Sequence, residues 1–254
     1  MRYVKIQTPE GARWGVLKGE TVLTLTKPPF QGIHYDGNQV LYRDAVLLPP
    51  CEATKIVCVG KNYYDHAVEM KEGVPEHPIL FLKGPNCLNR HEGEIEAPPF
   101  VKRLDYEGEL AFVVGKRAKR VLPEHAMEYI LGYTCLNDVT ARDIQKGDGQ
   151  WTRGKSMDGF APIGPVLTDE VSPDALHIET RLNGNVVQTG NTNLFMTKLP
   201  EMIAFITASM TLEPGDVVAT GTPAGIGPMK PGDVVEVEIE GIGTLRNYVK
   251  APSE

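Results

Sequence analysis

The chain has 254 residues, a formal net charge of −7 and a hydrophobic content of 41%. This length accommodates one large domain, or a large domain with a small appendage, and the composition supports an ordinary apolar core. The acidic balance argues against a nucleic-acid partner, because phosphate binding needs a clustered positive surface. No segment has the continuous apolar run of a signal peptide or a membrane span.

The cysteine residues indicate a reducing compartment. Cys51, Cys58, Cys87 and Cys135 show no Cys-x-x-Cys spacing, and most of them lie beside apolar residues in predicted strands. Such thiols are typically reduced and buried. We therefore expect a cytoplasmic protein with neither a membrane nor a nucleic-acid partner.

Residues 1–50 alternate short strand patterns with turns. Strands are predicted at Tyr3–Gln7, Trp14–Leu17 and Thr21–Leu25, and proline pairs at 28–29 and 49–50 interrupt the pattern. We predict a small β-rich N-terminal domain over residues 1–50 and a larger domain over residues 51–254.

From Lys55 the apolar strands become longer and are joined by polar, Gly/Pro-rich segments. The predicted strands are Ile56–Val59, Leu80–Leu82, Leu110–Val114, Tyr133–Leu136, Val217–Thr220 and Val234–Ile239. Helices are fewer, at Glu124–Ile130 and Leu199–Met210, and Asn183-Gly184-Asn185 predicts a hairpin turn. Because strands outnumber helices without regular alternation, we predict an α+β, mainly β fold with mainly antiparallel sheets.

Three acidic residues fall in or at the end of strand-like segments. Glu107 and Glu109 lie in Asp-Tyr-Glu-Gly-Glu-Leu, and Asp138 closes Gly-Tyr-Thr-Cys-Leu-Asn-Asp. Strand residues two apart point to the same face, and the apolar run after Glu109 predicts a buried strand. Three buried carboxylates need protons or a cation, and an all-oxygen set suits Mg²⁺, Mn²⁺ or Ca²⁺. A solvated strand face is the alternative explanation of Glu-x-Glu.

A histidine follows the strand that ends near Val59. If the segment from Tyr64 is helical, His66 and Glu69 share a face, and the carboxylate can orient an imidazole that takes a proton from water. The alternative is a surface helix with an incidental pair. We expect residues from about 63 to 76 to form a mobile lid, because the segment is too polar to be anchored by a core.

Three further segments carry candidate ligand-binding groups. Arg142 is suited to a bidentate grip on a substrate carboxylate, although Asp143 beside it also fits an ordinary helix start. Lys155, if it lies near the carboxylates, would stabilise a developing enolate, whereas a lone lysine usually faces solvent. The loop Thr-Gly-Thr-Pro-Ala-Gly-Ile-Gly at 220–227 matches neither the dinucleotide nor the Walker pattern, but could offer amides and a hydroxyl to a carboxylate.

These segments, in this order and at this spacing, resemble the fumarylacetoacetate hydrolase family. The resemblance covers about residues 55 to 248 and rests on seven motifs: Gly-x-Asn-Tyr-x-x-His, Pro-Ile-Leu-Phe-Leu-Lys-Gly-Pro, Tyr-Glu-Gly-Glu-Leu, Asn-Asp-Val-Thr-Ala-Arg-Asp-x-Gln, Gly-Lys-Ser-x-Asp, Leu-x-Pro-Gly-Asp-Val-Val-Ala-Thr-Gly-Thr-Pro-x-Gly and Gly-Asp-Val-Val-Glu-Val-Glu-Ile-Glu-Gly. The N-terminal Arg-Trp-Gly-Val-Leu-Lys-Gly and the Leu-Leu-Pro-Pro boundary further resemble bacterial members labelled 2-hydroxyhepta-2,4-diene-1,7-dioate isomerases.

The resemblance implies a role for each candidate residue. Its metal ligands match Glu107, Glu109 and Asp138, with Mg²⁺ or Mn²⁺ as cofactor and Ca²⁺ as a substitute. Its catalytic dyad matches His66 and Glu69, and its active-site lysine matches Lys155. Its substrate-binding positions match Arg142, Gln145 and Thr222. The family fold is a mixed β-sandwich roll, usually homodimeric.

The implied activity is metal-dependent chemistry on a 2-oxo acid that is chelated through its carboxylate and keto oxygen. Our leading interpretation is an enzyme of aromatic catabolism that isomerises or decarboxylates 2-oxo or 2-hydroxy-dienoic dicarboxylates. The enzymatic alternatives are acylpyruvate hydrolysis and oxaloacetate decarboxylation. A non-catalytic, cation-stabilised β-roll that serves as an interaction module would explain the carboxylates, but not His66, Glu69 and Lys155.

Overall fold

A computed structural model describes residues 1–70 and 73–252 of the chain. Residues 1–50 form five short strands: β1 (Arg2–Thr8), β2 (Gly11–Lys18), β3 (Thr21–Leu25), β4 (Tyr35–Leu41) and β5 (Val46–Leu48). The first three contain the three strands predicted from the sequence, which confirms them. Strands β1 to β4 pair antiparallel in chain order, as expected when short turns join them.

The remainder of the chain contributes most of the strands and four α-helices. In chain order these are β6 (Ile56–Gly60), α1 (Tyr64–Glu69), β7 (Ile79–Lys83), β8 (Leu88–Asn89), β9 (Glu94–Glu96), β10 (Leu104–Tyr106), β11 (Gly108–Val114), β12 (Ile130–Asn137), β13 (Thr140–Ala141), α2 (Arg142–Asp148), α3 (Thr152–Lys155), β14 (Ala161–Thr168), β15 (His177–Leu182), β16 (Asn185–Asn191), α4 (Leu199–Ser209), β17 (Val217–Ala219), β18 (Gly227–Met229), β19 (Val234–Ile239) and β20 (Gly243–Lys250). These bounds refer to the described residues.

Within the described residues the strands form three sheets. The largest has the order β4-β3-β2-β1-β14-β12-β11-β17-β6-β7, with β5 on β1 and β8 on β14. A second sheet has the order β16-β15-β19-β20-β9, and a third the order β13-β10-β18. Most neighbours are antiparallel, which confirms the mainly β, mainly antiparallel prediction. Because β1 pairs with β14, the N-terminal strands continue the large sheet; a domain boundary at residue 50 stays a prediction.

Strand β11 is buried on both faces, as its apolar sequence predicted. Leu110, Phe112 and Val114 pack into a cluster shared with α4 and the second sheet, whereas Ala111 and Val113 face the opposite cluster. Each large apolar side chain buried in this way contributes roughly 1.5–3 kcal/mol. The strand that carries Glu109 is therefore held firmly from both sides.

The structure confirms one of the two predicted helices and shows a 3₁₀ helix in place of the other. Helix α4 (Leu199–Ser209) confirms the amphipathic prediction and buries one face. Residues Pro123–Tyr129 form a 3₁₀ helix instead of an α-helix, and Ala126 is the residue that this segment buries. With so little apolar contact, an α-helix is not stabilised by packing here. The predicted hairpin turn is confirmed, with positive φ values of 52° at Asn183 and 79° at Gly184.

The described helices and thiols concern two further expectations, that the chain has no membrane span and that its cysteines are reduced and buried. None of the described helices is long and apolar enough to cross a membrane. All four cysteines are buried and free. Burial raises the pKa of the Cys51 and Cys135 thiols to about 12, which makes them poor nucleophiles.

The sheet topology brings four chain segments to one edge of the large sheet. Strands β6 and β17 are parallel neighbours, so both end at this edge, and α1 and the loop at 220–226 follow them. Strand β11 is antiparallel to β17 and begins at the same edge, where β12 ends beside it. The acidic residues, the histidine and the Gly-rich loop are thereby brought close together.

Candidate active site

The three predicted metal ligands converge at the start of β11 and the end of β12. Glu107, Glu109 and Asp138 are all buried, and one ligand oxygen from each lies within 4.8 Å of the others. Glu109 lies in β11, whereas Glu107 is the single residue between β10 and β11. The chain passes there from the three-stranded sheet to the large sheet. A backbone hydrogen bond of 2.8 Å from Asp138 N to Glu107 O brings the two segments together. The predicted convergence thus holds without a continuous strand.

Two of the carboxylates are neutralised by buried cations. The Lys155 ammonium lies 2.7 Å from both Glu107 Oε2 and Asp138 Oδ2, and the Arg142 guanidinium donates to Glu107 Oε1. Burial alone raises the pKa of Glu107, but attraction to Lys155 and Arg142 outweighs it and holds that pKa below its ordinary value. Burial lowers the pKa of Lys155, but Asp138 and Glu107 outweigh it and raise the pKa. Glu107 is therefore ionised and Lys155 protonated near neutral pH.

Glu109 has a different environment from the other two carboxylates. Its Oε2 accepts a 2.8 Å hydrogen bond from Gly221 N, and no cationic side chain of the described residues pairs with it. Burial, and then repulsion from the carboxylates of Asp138 and Glu107, raises the pKa of Glu109 well above its ordinary value. Such a carboxylate needs either a proton or a cation, and three oxygens so close together are the donors that a hard divalent cation takes. Glu107, Glu109 and Asp138 thus fit a Mg²⁺ or Mn²⁺ ion.

Lys83 is a site residue that the sequence analysis did not identify. Its side chain is completely buried, and its ammonium lies 2.5 Å from Asp138 Oδ1 and 3.0 Å from Val139 O. Asp138 is therefore held between two lysines, one on each carboxylate oxygen. The sequence feature that could have identified Lys83 is its position at the end of the apolar run Pro-Ile-Leu-Phe-Leu, which predicts a buried strand. A lysine is rarely buried unless it is paired, so a lysine in such a strand indicates a buried acidic partner.

The histidine and glutamate of α1 form the predicted pair. His66 is buried, its Nδ1 lies 3.2 Å from Glu69 Oε2, and the Glu69 oxygens accept from Gly225 N at 3.1 and 3.2 Å. With Glu69 ionised, Nδ1 carries the proton, and Nε2 is the basic nitrogen. The amide of the Gly-rich loop thus fixes the carboxylate that orients the imidazole.

The start of the predicted lid is anchored. Asn62 bonds through its side chain to Thr197 and Thr220, and the Tyr63 ring packs edge-on against Phe195, with 5.1 Å between centroids. Lys71 and Glu72 lie outside the described residues. Motion of the lid stays a prediction.

Arg142 and Gln145 have a more specific arrangement than the sequence suggested. Besides Glu107, Arg142 donates to Asp105 Oδ2 at 2.8 Å and to Gln145 Oε1 at 2.6 Å. Three guanidinium nitrogens are thus bonded to protein groups, so Arg142 positions Glu107 and Gln145. Since Gln145 Oε1 accepts from Arg142, its amide nitrogen is available as the donor. Asp105, which is buried, is a second residue that the sequence analysis missed.

Thr222 stands at the Gly-rich loop and is bonded within the fold. Its hydroxyl donates to Gly108 O at 2.9 Å and accepts from Gln188 Nε2 at 2.8 Å. The hydroxyl therefore connects the loop to the start of β11. Contact of Thr222 with a substrate stays a prediction.

All nine predicted site residues except Glu69 line one cavity of about 330 Å³. Eight further residues complete its wall: Val59, Gly60, Lys61, Met70, Phe81, Lys146, Gly149 and Trp151. Lys155 reaches the cavity from α3, a short helix that the sequence analysis did not predict. The cavity therefore brings together three carboxylates that suit a divalent cation, an ammonium group and an imidazole, which are groups that enolate chemistry can use.

Known protein families and individual proteins resemble this chain in sequence and in fold. Residues 55–250 match the family model described as fumarylacetoacetate (FAA) hydrolase C-terminal, and residues 1–50 match the model described as Rv2993c-like, N-terminal. Oxaloacetate tautomerase YisK of Bacillus subtilis is 42% identical over 213 residues, which are 79% of this chain and 71% of that protein.

Two solved structures share the whole fold. That of 2-hydroxyhepta-2,4-diene-1,7-dioate isomerase from Mycobacterium marinum has a TM-score of 0.93 and 40% identity, with 100% of both chains covered. That of 5-carboxymethyl-2-hydroxymuconate delta-isomerase from Mycobacterium smegmatis has a TM-score of 0.93 and 38% identity, with 99% of this chain and 100% of that chain covered. The similarity thus extends over the N-terminal strands as well.

We predict that Glu109→Gln stabilises the protein in EDTA, and increasingly so as the pH rises. The folded chain holds the Glu109 proton above the ordinary pKa of 4.5, so wild-type stability falls as the pH rises above that value, whereas glutamine does not titrate. At neutral pH the melting temperature should rise by several degrees, since about 1 kcal/mol corresponds to roughly 2–4 °C in a chain of this size.

The matched control is Glu124→Gln, which changes an exposed carboxylate in the same way. Thermal unfolding of both variants from pH 4.5 to pH 8 is the measurement. A Glu109→Gln effect that is independent of pH, or equal to that of Glu124→Gln, would contradict the assignment of Glu109 as an uncompensated carboxylate.

We predict that Lys83→Met destabilises the metal-free protein by about 3–5 kcal/mol, because breaking a buried pair leaves an uncompensated charge. Adding Asp138→Asn to Lys83→Met should restore part of the lost stability, since it removes the carboxylate charge that Lys155 is then left to neutralise without Lys83. Lys119→Met, at an exposed lysine, is the control. Urea unfolding provides the free energies. A double variant no more stable than Lys83→Met would show that the two groups are not coupled.

Proposed function

Because the chain belongs to the fumarylacetoacetate hydrolase family, we propose that it is a Mg²⁺- or Mn²⁺-dependent enzyme that isomerises 2-oxo or 2-hydroxy-dienoic dicarboxylates. Proton transfer between the enol and keto forms is the simplest reaction of this class. The observation that carries the proposal is the buried Lys155 ammonium, 2.7 Å from two of the three clustered carboxylates and in the same cavity as His66. The names of the relatives, which are isomerases and a tautomerase, support the reaction type.

The site residues divide the work between charge stabilisation and proton transfer. Glu107, Glu109 and Asp138 would hold a divalent cation, which would supply Lewis-acid polarisation of the substrate's 2-oxo group. Lys155 is held protonated by Glu107 and Asp138, so it can stabilise the oxygen on which negative charge develops. The amide nitrogen of Gln145, oriented by Arg142, offers a further hydrogen bond to the substrate.

His66 is the group that moves the proton. Its Nδ1 is bonded to Glu69, so Nε2 can accept the proton of the substrate's 2-hydroxyl group, and the imidazolium can return it to a carbon of the enol or dienol chain, which leaves the 2-oxo form. Glu69 stabilises the imidazolium that forms, and Gly225 N holds Glu69 in place. Isomerisation needs no water in this scheme, and the half-buried Phe81 and Trp151 help to keep the enclosure dry.

Acylpyruvate hydrolysis is the second candidate, because the same dyad can activate a water molecule for attack on a carbonyl carbon. Oxaloacetate decarboxylation needs the stabilised enolate but not the base. We further propose a place in aromatic catabolism, a cytoplasmic location and a homodimer, which rest on the family resemblance.

The test is turnover of 2-hydroxyhepta-2,4-diene-1,7-dioate and of enol-oxaloacetate by the Mg²⁺-loaded enzyme. We predict that His66→Ala lowers isomerisation by roughly 10²- to 10⁴-fold, the usual effect of losing a general base or acid. Oxaloacetate decarboxylation should decrease less, whereas Lys155→Ala should impair both reactions, because both develop charge on the same oxygen.

The chain offers a matched control for the dyad. His125 and Glu128 have the same spacing and the same 3.2 Å contact, but both are exposed and lie outside the cavity. His125→Ala should therefore leave both rates unchanged. If His66→Ala lowers both reactions equally, the dyad has a positioning role and is not the isomerisation base. Failure of the loaded enzyme to turn over any substrate of the panel would refute the proposed function.

A further inference from the structure

The chemical character of the cavity changes from its inner end to its rim. The inner end consists of the buried carboxylates and Lys155, described above. The middle is formed by Phe81 and Trp151, which are half-buried, and the rim carries Lys61, half-buried, and Lys146, exposed. The inner carboxylates of Glu107 and Asp138 form their ion pairs with Lys83, Arg142 and Lys155, so Lys61 and Lys146 are further lysines of the cavity that the proposed chemistry does not use.

Helix α2 connects the inner end with the rim. Arg142, Gln145 and Lys146 all line the cavity, and their spacing of three and four residues puts them on one face of the helix. Lys146 lies four residues beyond Arg142, slightly more than one helical turn, which is an advance of about 6 Å along the axis. The helix therefore fixes the position of the Lys146 backbone relative to the inner polar groups.

Lys61 approaches the same rim from the end of β6. Its backbone has a positive φ of 57°, and the next residue, Asn62, is fixed by side-chain bonds to Thr197 and Thr220. A non-glycine residue in this conformation requires support from its surroundings. The direction in which the Lys61 side chain leaves the backbone is accordingly fixed by the fold.

The aromatic middle separates the two polar ends. The Lys155 ammonium lies 5.0 Å from the centroid of the Phe81 ring, and the Phe81 and Trp151 rings pack edge-to-face with 5.2 Å between centroids. Gly60 permits this position of Trp151, because a Cβ at residue 60 would approach Trp151 Cζ3 to 3.0 Å. An apolar or conjugated carbon chain suits this surface, and a charged group does not.

We propose that Lys61 and Lys146 form the binding site for a second, distal carboxylate of the substrate, and so select dicarboxylates over monocarboxylates. The proposal rests on the proposed function, in which the 2-oxo acid end of the substrate occupies the inner end of the cavity. The carbon chain then crosses Phe81 and Trp151, and the distal carboxylate meets the two ammonium groups. In a protein with a formal charge of −7, these lysines also counteract repulsion of an anionic substrate.

Paired ligands that differ only in the distal group test the proposal on the Mg²⁺-loaded enzyme. The probes are 2-oxoheptanedioate and 2-oxoheptanoate, with 2-oxoglutarate and 2-oxopentanoate as the shorter pair and oxalate as a ligand without a chain. Calorimetry gives each Kd. Wild type should prefer at least one diacid over its monoacid by about tenfold, the effect expected of a single charge-assisted contact.

Lys146→Met and Lys61→Met should each reduce this preference, and the double variant should abolish it. Oxalate should bind all variants alike, because it reaches neither lysine. Lys119→Met, at an exposed lysine outside the cavity, should retain the full preference. Gly60→Ala displaces Trp151, so it should weaken the diacid and the monoacid together and leave their ratio unchanged.

Two results would overturn the proposal: no diacid preference in wild type, or an undiminished preference in the double variant. The second would mean that Lys146 serves only to complement the C-terminal end of the α2 dipole. Failure of the proposed function is a separate result, since it appears as loss of oxalate binding or of all turnover in wild type. A normal oxalate Kd with no diacid preference refutes the distal site alone.

Discussion

Compensation of buried charge is the constraint on which the site depends. Among the described residues, the buried cations Lys83, Arg142 and Lys155 bond to the buried carboxylates of Asp105, Glu107 and Asp138, and Glu109 lies beside the last two. A buried ion is tolerated only where partners replace its hydration, so each cation is fixed in place by the carboxylates that it neutralises. Glu109 pairs with no cationic side chain of the described residues, and this is why the cluster suits a divalent ion.

This constraint explains why the residues come from so many separate parts of the sequence. The carboxylates come from β10, from β11 and the residue before it, and from the residue after β12; β7 and α3 provide the two lysines, and α2 the arginine. No single segment could present both signs of charge without its neighbours, because an isolated buried charge is too costly. The site and the sheet edge therefore form together, and the β11 strand, packed on both faces, provides the fixed reference.

The sequence was sufficient to predict the strands and the clustering of the three carboxylates. It was not sufficient to predict the buried residues that pair with the site residues. Periodicity identifies β11, and the Glu-x-Glu spacing survives the break at Glu107, because a hydrogen bond to Asp138 replaces strand continuity. Lys83 and Asp105 were missed, since pairing across distant segments leaves no local pattern. Helical spacing also could not separate His66–Glu69 from the exposed His125–Glu128, which has the same 3.2 Å contact. Burial in the cavity makes that distinction.

The inner end of the cavity and its outer wall carry different information about function. Enolate stabilisation serves isomerisation, decarboxylation and hydrolysis alike, so Glu107, Glu109, Asp138 and Lys155 cannot discriminate among them. Selectivity has to arise where the substrates differ, which is in the carbon chain and its distal group. In the proposed site that region is formed by Phe81 on β7, by Trp151 immediately before α3, and by a lysine on the same helix as Arg142. Helix α2 would therefore link the part of the site to which we assign the chemistry with the part to which we assign substrate selection.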